Sequence, residues 1–299
     1  MRAAVLTRYG DVDALEVRTV DEPRPKAGEV KIRVAAASLN ALDLKQLSGA
    51  VKSYFPVTFP AILGFDASGQ VAELGAGVSG LAVGDPVFGQ VRHGLAELAT
   101  APAAVLARVP PEISLVDSAA VPVVALTGAQ LVEEAIQPKP RDRVLVTGAL
   151  GSVGRVAVHV ARTRGARVIA GVRAVRLAEA GRLGVDEVVA LDDPAAIERL
   201  APVDAIADTV GGPTVLQLVP RLRQGGVLGS VLGKPAGVPD AVTVRAIVAH
   251  ADGPRLVALA REIGTGKLVL PIAGRFPLDR IRDAFRKAAT GAGKVLVTP

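Results

Sequence analysis

The hydrophobic pattern changes character twice along the chain. Up to about Ala120, short apolar runs such as "AAVLTRY", "EVKIRVAAASLN", "ASGQVAELG" and "DPVFGQV" are cut by Gly, Pro and Asp, the texture of β-strands joined by turns. From about Val121 to His250 the runs "RVLVTGA", "ARVIAGV", "DEVVAL", "DAIADTVG", "GGVLGSVLG" and "AVTVRAIVA" follow one another, with amphipathic stretches such as Val153–Arg164 and Ala174–Leu183 between them. Strand alternating with helix predicts a doubly wound parallel sheet of the α/β class. The tail from Ala251 predicts helices over "GPRLVALAREIGTGK" and "LDRIRDAFRKAAT" and strands over "LVLPIAGRF" and "GKVLVTP". The expected organisation is a discontinuous, mostly β domain, residues 1–120 with 251–299, and an α/β domain, residues 121–250.

Where the first run of the middle region stops, the chain reads Gly148-Ala149-Leu150-Gly151-Ser152-Val153-Gly154. A glycine turn between a strand and a helix is the setting of a dinucleotide fingerprint. Gly151 lets the backbone approach a pyrophosphate, Gly154 lets the helix pack on the strand, and the free N–H groups of the helix start hold phosphate. Ala149 stands at the fingerprint's first glycine, with Gly148 just before it, so a tight turn without a ligand is the competing reading.

The end of the second strand selects the cofactor. An NAD site places an acid there for the ribose 2′-hydroxyl. This chain offers Arg173 and Arg176 and no nearby acid, the first being Glu179 in the next helix. A guanidinium fork binds a 2′-phosphate, which predicts NADPH; two solvated arginines are the alternative. Between Arg141 and Arg182 stand nine Arg against Asp142 and Glu179, either a solvated helix face or a positive field for an anionic ligand.

Composition narrows the picture further. Net charge is +6, yet aromatic residues make up only 3%, too few for base stacking, so no nucleic-acid partner is expected. There is no cysteine and only three His, which excludes disulfides and thiolate metal sites; no metal is expected. No uncharged apolar run approaches the ~18 residues of a membrane span, and the N-terminus does not read as a signal peptide, so no membrane partner and a cytoplasmic location are expected.

With these features in place the chain resembles the zinc-independent quinone oxidoreductases of the medium-chain dehydrogenase/reductase superfamily. The segments that carry the resemblance are Phe59–Gly89, Val121–Gln130, "DAIADTVGG", "GGVLGSVLG" and "GKVLV". It implies a Rossmann-type domain and a GroES-like catalytic domain. Zinc-dependent relatives carry Cys-x-x-Asp and Gly-His-Glu where this chain has Asn40-Ala41-Leu42-Asp43 and Gly64-Phe65-Asp66. The implied activity is zinc-free hydride transfer from NADPH to a quinone or an α,β-unsaturated carbonyl, in a possible homodimer. Enoyl-thioester reduction and a non-catalytic NADPH sensor are the competing functions.

The resemblance places Asn40 beside the nicotinamide as a donor to the developing oxyanion. Tyr54 is a second donor candidate, and Asp43 and Asp66 serve in hydrogen bonding. For the cofactor it implies Thr127 near the carboxamide, Val210 and Leu232 as walls, and Lys294 approaching from the tail, beside the turn residues Ala149, Leu150, Gly151, Ser152, Val153 and Gly154 and the arginines Arg173 and Arg176 already read from the fingerprint. A turn or capping role competes at Asn40, a partly buried aromatic at a loop edge at Tyr54, a helix-start hydroxyl at Thr127, plain core at Val210 and Leu232, and a surface lysine at Lys294.

Overall fold

A computed structural model describes residues 1–299. The chain divides into two compact units, Met1–Val124 with Ala251–Pro299, and Ala125–His250.

The second unit is built on a six-stranded parallel sheet. Its strands, in spatial order, are Glu187–Ala190, Arg167–Val172, Arg143–Thr147, Val203–Asp208, Leu222–Ser230 and Thr243–Ala246. Numbered along the chain this is 3-2-1-4-5-6, the doubly wound order that reverses direction beside its first strand. Val144, Leu145 and Val146 on that first strand are fully buried, as a central parallel strand covered on both faces requires. The core gathers Leu145, Ile169, Ile206, Val215, Leu218 and Leu228. The helix Ser152–Thr163 buries Val156, Ala157, Val160 and Ala161 and turns Arg155 and Arg162 away from the core. The expected helix Ala174–Leu183 is shorter, a 3-10 turn Ala174–Arg176 followed by Leu177–Gly181.

The first unit holds a seven-stranded, largely antiparallel sheet and a three-stranded one. The long strand Glu29–Leu39 is its spine and pairs with Asp66–Leu74, Leu98–Pro102 and the last strand Lys294–Thr298. Along that spine, burial alternates while Lys31 and Arg33 point outward, then becomes continuous from Ala36 to Leu39. The helix Ile281–Ala289 buries Ile281, Ala284 and Phe285, one face at i, i+3, i+4. Four short strands escape the sequence pattern: Leu15–Thr19, Ala61–Ile62, Leu98–Pro102 and Leu106–Arg108. Each is too short to show a period of its own. No helix is long and apolar enough to cross a membrane.

Candidate active site

In the second unit the glycine turn lies at the C-terminal end of the strand Arg143–Thr147. Gly148 has φ +62°, and a Cβ there would lie 2.7 Å from Thr209 Oγ1 and 2.8 Å from Val210 Cγ2. The left-handed conformation therefore falls one residue before the fingerprint's first position, which is why that position tolerates the fully buried Ala149. Gly151 caps the following helix in an extended conformation without a side chain over its mouth. The first-turn N–H groups of Ser152, Val153 and Gly154 have no intrahelical acceptors and suit an anion. Gly154 is held tightly: a Cβ there would lie 2.2 Å from the Gly148 carbonyl oxygen.

The neighbouring strand ends are tied together by Asp208. Its carboxylate accepts from the Thr147 hydroxyl at 2.8 Å, the Gly211 N–H at 2.9 Å, and the Val210 N–H and Ser230 hydroxyl at 3.1 Å. This fixes the loop that presents Val210, 51% exposed, and the loop that presents Leu232, 44% exposed. Two large apolar side chains displayed on rigid strand ends suit a planar ring. Half-buried Thr127 lies beside Gly128, where a Cβ would meet the Val153 carbonyl oxygen at 2.7 Å, so its helix is stacked against the start of the glycine-turn helix.

At the second strand end the expected absence of an acid is corrected. The Glu179 carboxylate accepts from Arg176 Nε at 2.6 Å and from Arg155 Nη2 at 3.1 Å, and Arg155 Nε also donates to the Leu150 carbonyl oxygen at 3.1 Å. Asp192 accepts from the Ala174 N–H at 2.7 Å. Arg176 and Glu179 stand three apart on one helical face, so their spacing was a legible signal. Arg173 is exposed and makes no such pair.

In the first unit a polar cluster is buried at the meeting of three strands. Register sets Ser38 opposite Asp66 and Leu39 opposite Val295, which brings Lys294 to the same point. Asp66 is fully buried and accepts through Oδ2 from Ser38 Oγ and Asn40 Nδ2, both at 2.8 Å, and through Oδ1 from the Val123 N–H at 2.8 Å. The Lys294 ammonium, 3% exposed, donates to Asn40 Oδ1 at 2.7 Å and the Leu39 carbonyl at 3.1 Å, with Asp66 Oδ2 at 3.5 Å. Asn40 is thus locked by both ends of its amide, and one Nδ2 hydrogen is left for another acceptor.

Two expectations change here. Lys294 is not a surface lysine; it is buried and donates to Leu39, Asn40 and Asp66. Tyr54 is 81% exposed on the turn after the helix Ala41–Ser48 and takes no part in the cluster. Ser38, a donor to Asp66, and Asp208, which braces the strand-end loops of the second unit, were not singled out in the sequence.

Burial pushes Lys294 below the ordinary lysine range, a shift that Asp66 and Asp43 oppose. Asp43, fully buried, accepts from the Asn40 N–H at 2.8 Å through Oδ2, while Oδ1 has no hydrogen-bond partner. Burial, with the Asp66 charge adding to it, raises its carboxyl from 3.8 to about 7, and the Asn40 and Gly64 backbone and Lys294 hold it from rising further. A folded-state value above the unfolded one stabilises at low pH. The contribution is complete below about pH 4 and lost as pH rises through about 7. Denaturant unfolding across this range is expected to show that decline, and Asp43→Asn to flatten it.

The chain resembles known proteins over its whole length. Residues 26–111 match the family "Alcohol dehydrogenase GroES-like domain" and residues 183–297 the family "Zinc-binding dehydrogenase". The chain is 29% identical to the chloroplast envelope quinone oxidoreductase homolog of Arabidopsis thaliana, over 100% of this chain and 98% of that one. The quinone oxidoreductase of Coxiella burnetii superposes with a TM-score of 0.90 at 26% identity, over 100% of this chain and 99% of that one. The chain belongs to the quinone oxidoreductase group of the medium-chain dehydrogenase/reductase superfamily. A mycobacterial member, Rv1454c, was solved in complex with NADPH and superposes with a TM-score of 0.86 at 25% identity, both chains fully covered. The superfamily fold binds a nicotinamide dinucleotide, and the glycine turn, the Asp208-braced loops and the arginines of this member fit one. Zinc, named in one family description, does not fit. No group of three or more His, Asp or Glu side chains is placed to hold a metal ion, Phe65 cannot ligate, and a buried ammonium sits among the oxygens where a dication would have to stand.

Proposed function

We propose that this superfamily member is a zinc-free, NADPH-dependent reductase of quinones and α,β-unsaturated carbonyls. The observation that carries the reading is Lys294: the polar cluster is organised around an ammonium, so no Lewis acid is available there to activate an alcohol. A conjugated carbonyl needs none, because its alkene is already electrophilic, and a quinone is an enone twice over. The bound nicotinamide supplies the hydride. The protein's part is to position and to stabilise charge. Gly151 and the first-turn N–H groups hold the pyrophosphate, with Ala149, Leu150, Ser152, Val153 and Gly154 forming its cradle. Thr127, Val210 and Leu232 orient the ring, and Arg173 meets the 2′-phosphate. The uncommitted Nδ2 hydrogen of Asn40 donates to the substrate oxygen as charge collects on it. The +6 net charge without aromatic platforms supports small-molecule partners rather than nucleic acid, and the cysteine-free composition suits the cytoplasm. A homodimer joined through edges of the nucleotide sheet is part of the proposal.

The test is cofactor absorbance with a quinone, a small enone, an enoyl thioester and a primary alcohol. NADPH consumption with the first two, and no alcohol-dependent reduction of NADP, is the expected result. Fast turnover of the thioester alone would make the chain an enoyl-thioester reductase, and binding without consumption would make it a sensor. The parent is expected to prefer NADPH over NADH in kcat/KM by about tenfold or more, the effect of one charge-assisted contact. Arg173→Ala is expected to remove most of that preference through NADPH alone, and high salt to shrink it.

A further inference from the structure

The sequence places two arginines at the 2′-phosphate position, and the structure shows that they are not equivalent. Arg173 is exposed and pairs with no acid, whereas Arg176 is held by Glu179 at 2.6 Å. Glu179 divides its two oxygens. Oε2 takes Arg176, whose side chain is 37% exposed, and Oε1 takes Arg155, only 11% exposed. Arg155 is in turn fastened to the Leu150 carbonyl inside the glycine turn. A single carboxylate therefore bridges the two places where a dinucleotide carries phosphate. Its inner partner is fixed, and its outer partner is the one that solvent or a ligand can reach.

We propose that Glu179 is a specificity-determining residue that limits discrimination for the 2′-phosphate by competing with it for Arg176. This rests on the reading that the turn binds a dinucleotide with its adenosine ribose at the end of the strand Arg167–Val172. A ligand with a 2′-phosphate must draw Arg176 away from a 2.6 Å ion pair before gaining its fork, and it approaches the Glu179 charge in doing so. A ligand with a bare 2′-hydroxyl meets no such competition. The chain therefore accepts NADPH through Arg173 while holding a second arginine in reserve. Glu179→Gln removes the charge and releases that arginine, while the amide oxygen still accepts from Arg155, which keeps its bond to the Leu150 carbonyl of the pyrophosphate cradle.

The experiment is equilibrium binding of NADPH and NADH, with 2′,5′-ADP and 5′-AMP as non-reactive probes, to the parent, Glu179→Gln, Arg176→Ala and the double variant. Glu179→Gln is expected to tighten NADPH and 2′,5′-ADP three- to tenfold and to leave NADH and 5′-AMP within twofold, the latter showing that the turn is intact. Arg176→Ala in the parent background is expected to change little, and in the double variant the gain should vanish. Weaker NADPH binding in Glu179→Gln, or a gain that survives loss of Arg176, would overturn the proposal. A selective loss of NADH affinity would also overturn it, by making Glu179 a ligand of the ribose hydroxyl. Failure of the underlying reading looks different: the parent would then bind none of the four, or would bind NADH as well as NADPH while Arg173→Ala changed neither.

Discussion

Lys294→Met is expected to destabilise the first unit by about 3–5 kcal/mol, the range for breaking a buried ion pair by removing one partner. Methionine keeps the length of the side chain, so the loss is one of charge rather than volume. Asp66 is fully buried and would keep its bonds from Ser38, Asn40 and Val123 while losing its only cation. Because three donors remain, the lower end of the range is the better expectation. The double variant Lys294→Met, Asp66→Asn removes both charges and is expected to recover most of the loss, since the penalty is an uncompensated charge. Urea midpoints for the parent, both single variants and the double variant measure the coupling. Strict additivity would show that the ammonium and carboxylate do not act together. Activity separates the roles further: Lys294→Met also frees Asn40 Oδ1, and kcat should fall more than KM rises because the amide loses its fixed orientation.

The second large effect sets two glycines of one turn against each other. Gly151→Val is expected to weaken NADPH by at least about a hundredfold, ~2.7 kcal/mol, because a branched side chain occupies the space over the helix N-terminus. Its Cβ would meet only the Gly148 oxygen, at 3.2 Å, so the fold survives. Gly154→Ala fails in the opposite way. A Cβ at 2.2 Å from the Gly148 oxygen and 2.9 Å from Ala149 Cα forces the helix off its strand. A loss of about 1–3 kcal/mol in the stability of the nucleotide unit is the expected cost of such overpacking. Unfolding midpoints and cofactor titration on the same two proteins distinguish the cases. If Gly151→Val binds NADPH within twofold of the parent, phosphate does not bind at this turn.

The parallel sheet was legible because each of its strands is a separate apolar run bounded by a turn, and six such runs became six strands. The glycine turn was legible for the same local reason. The charge pattern was legible only in the i, i+3 pair Arg176 and Glu179. The arginine excess between Arg141 and Arg182 looks like an open field in sequence, but Arg143 pairs with Glu187, Arg164 with Glu133, and Arg155 and Arg176 with Glu179. Glu133 and Glu187 lie outside the counted window, so only the fold could supply them. Lys294 shows the same limit more sharply. In sequence it is a lysine ahead of a short strand; its burial depends on pairing with a strand that ends at Leu39, and nothing local records that partner.

That partnership has a consequence for how the protein is made. The bond from Lys294 to Asn40 spans 254 residues. The nucleotide unit, Ala125–His250, is one continuous stretch of chain, whereas the first unit needs both its early and its late segments. During synthesis the continuous stretch can fold as soon as it emerges, while Asp66 waits for a counter-charge that the ribosome delivers only after the whole nucleotide unit has been made. A metalloenzyme can assemble its centre whenever the ion arrives. Here the cation is part of the polypeptide, and its arrival is timed by translation.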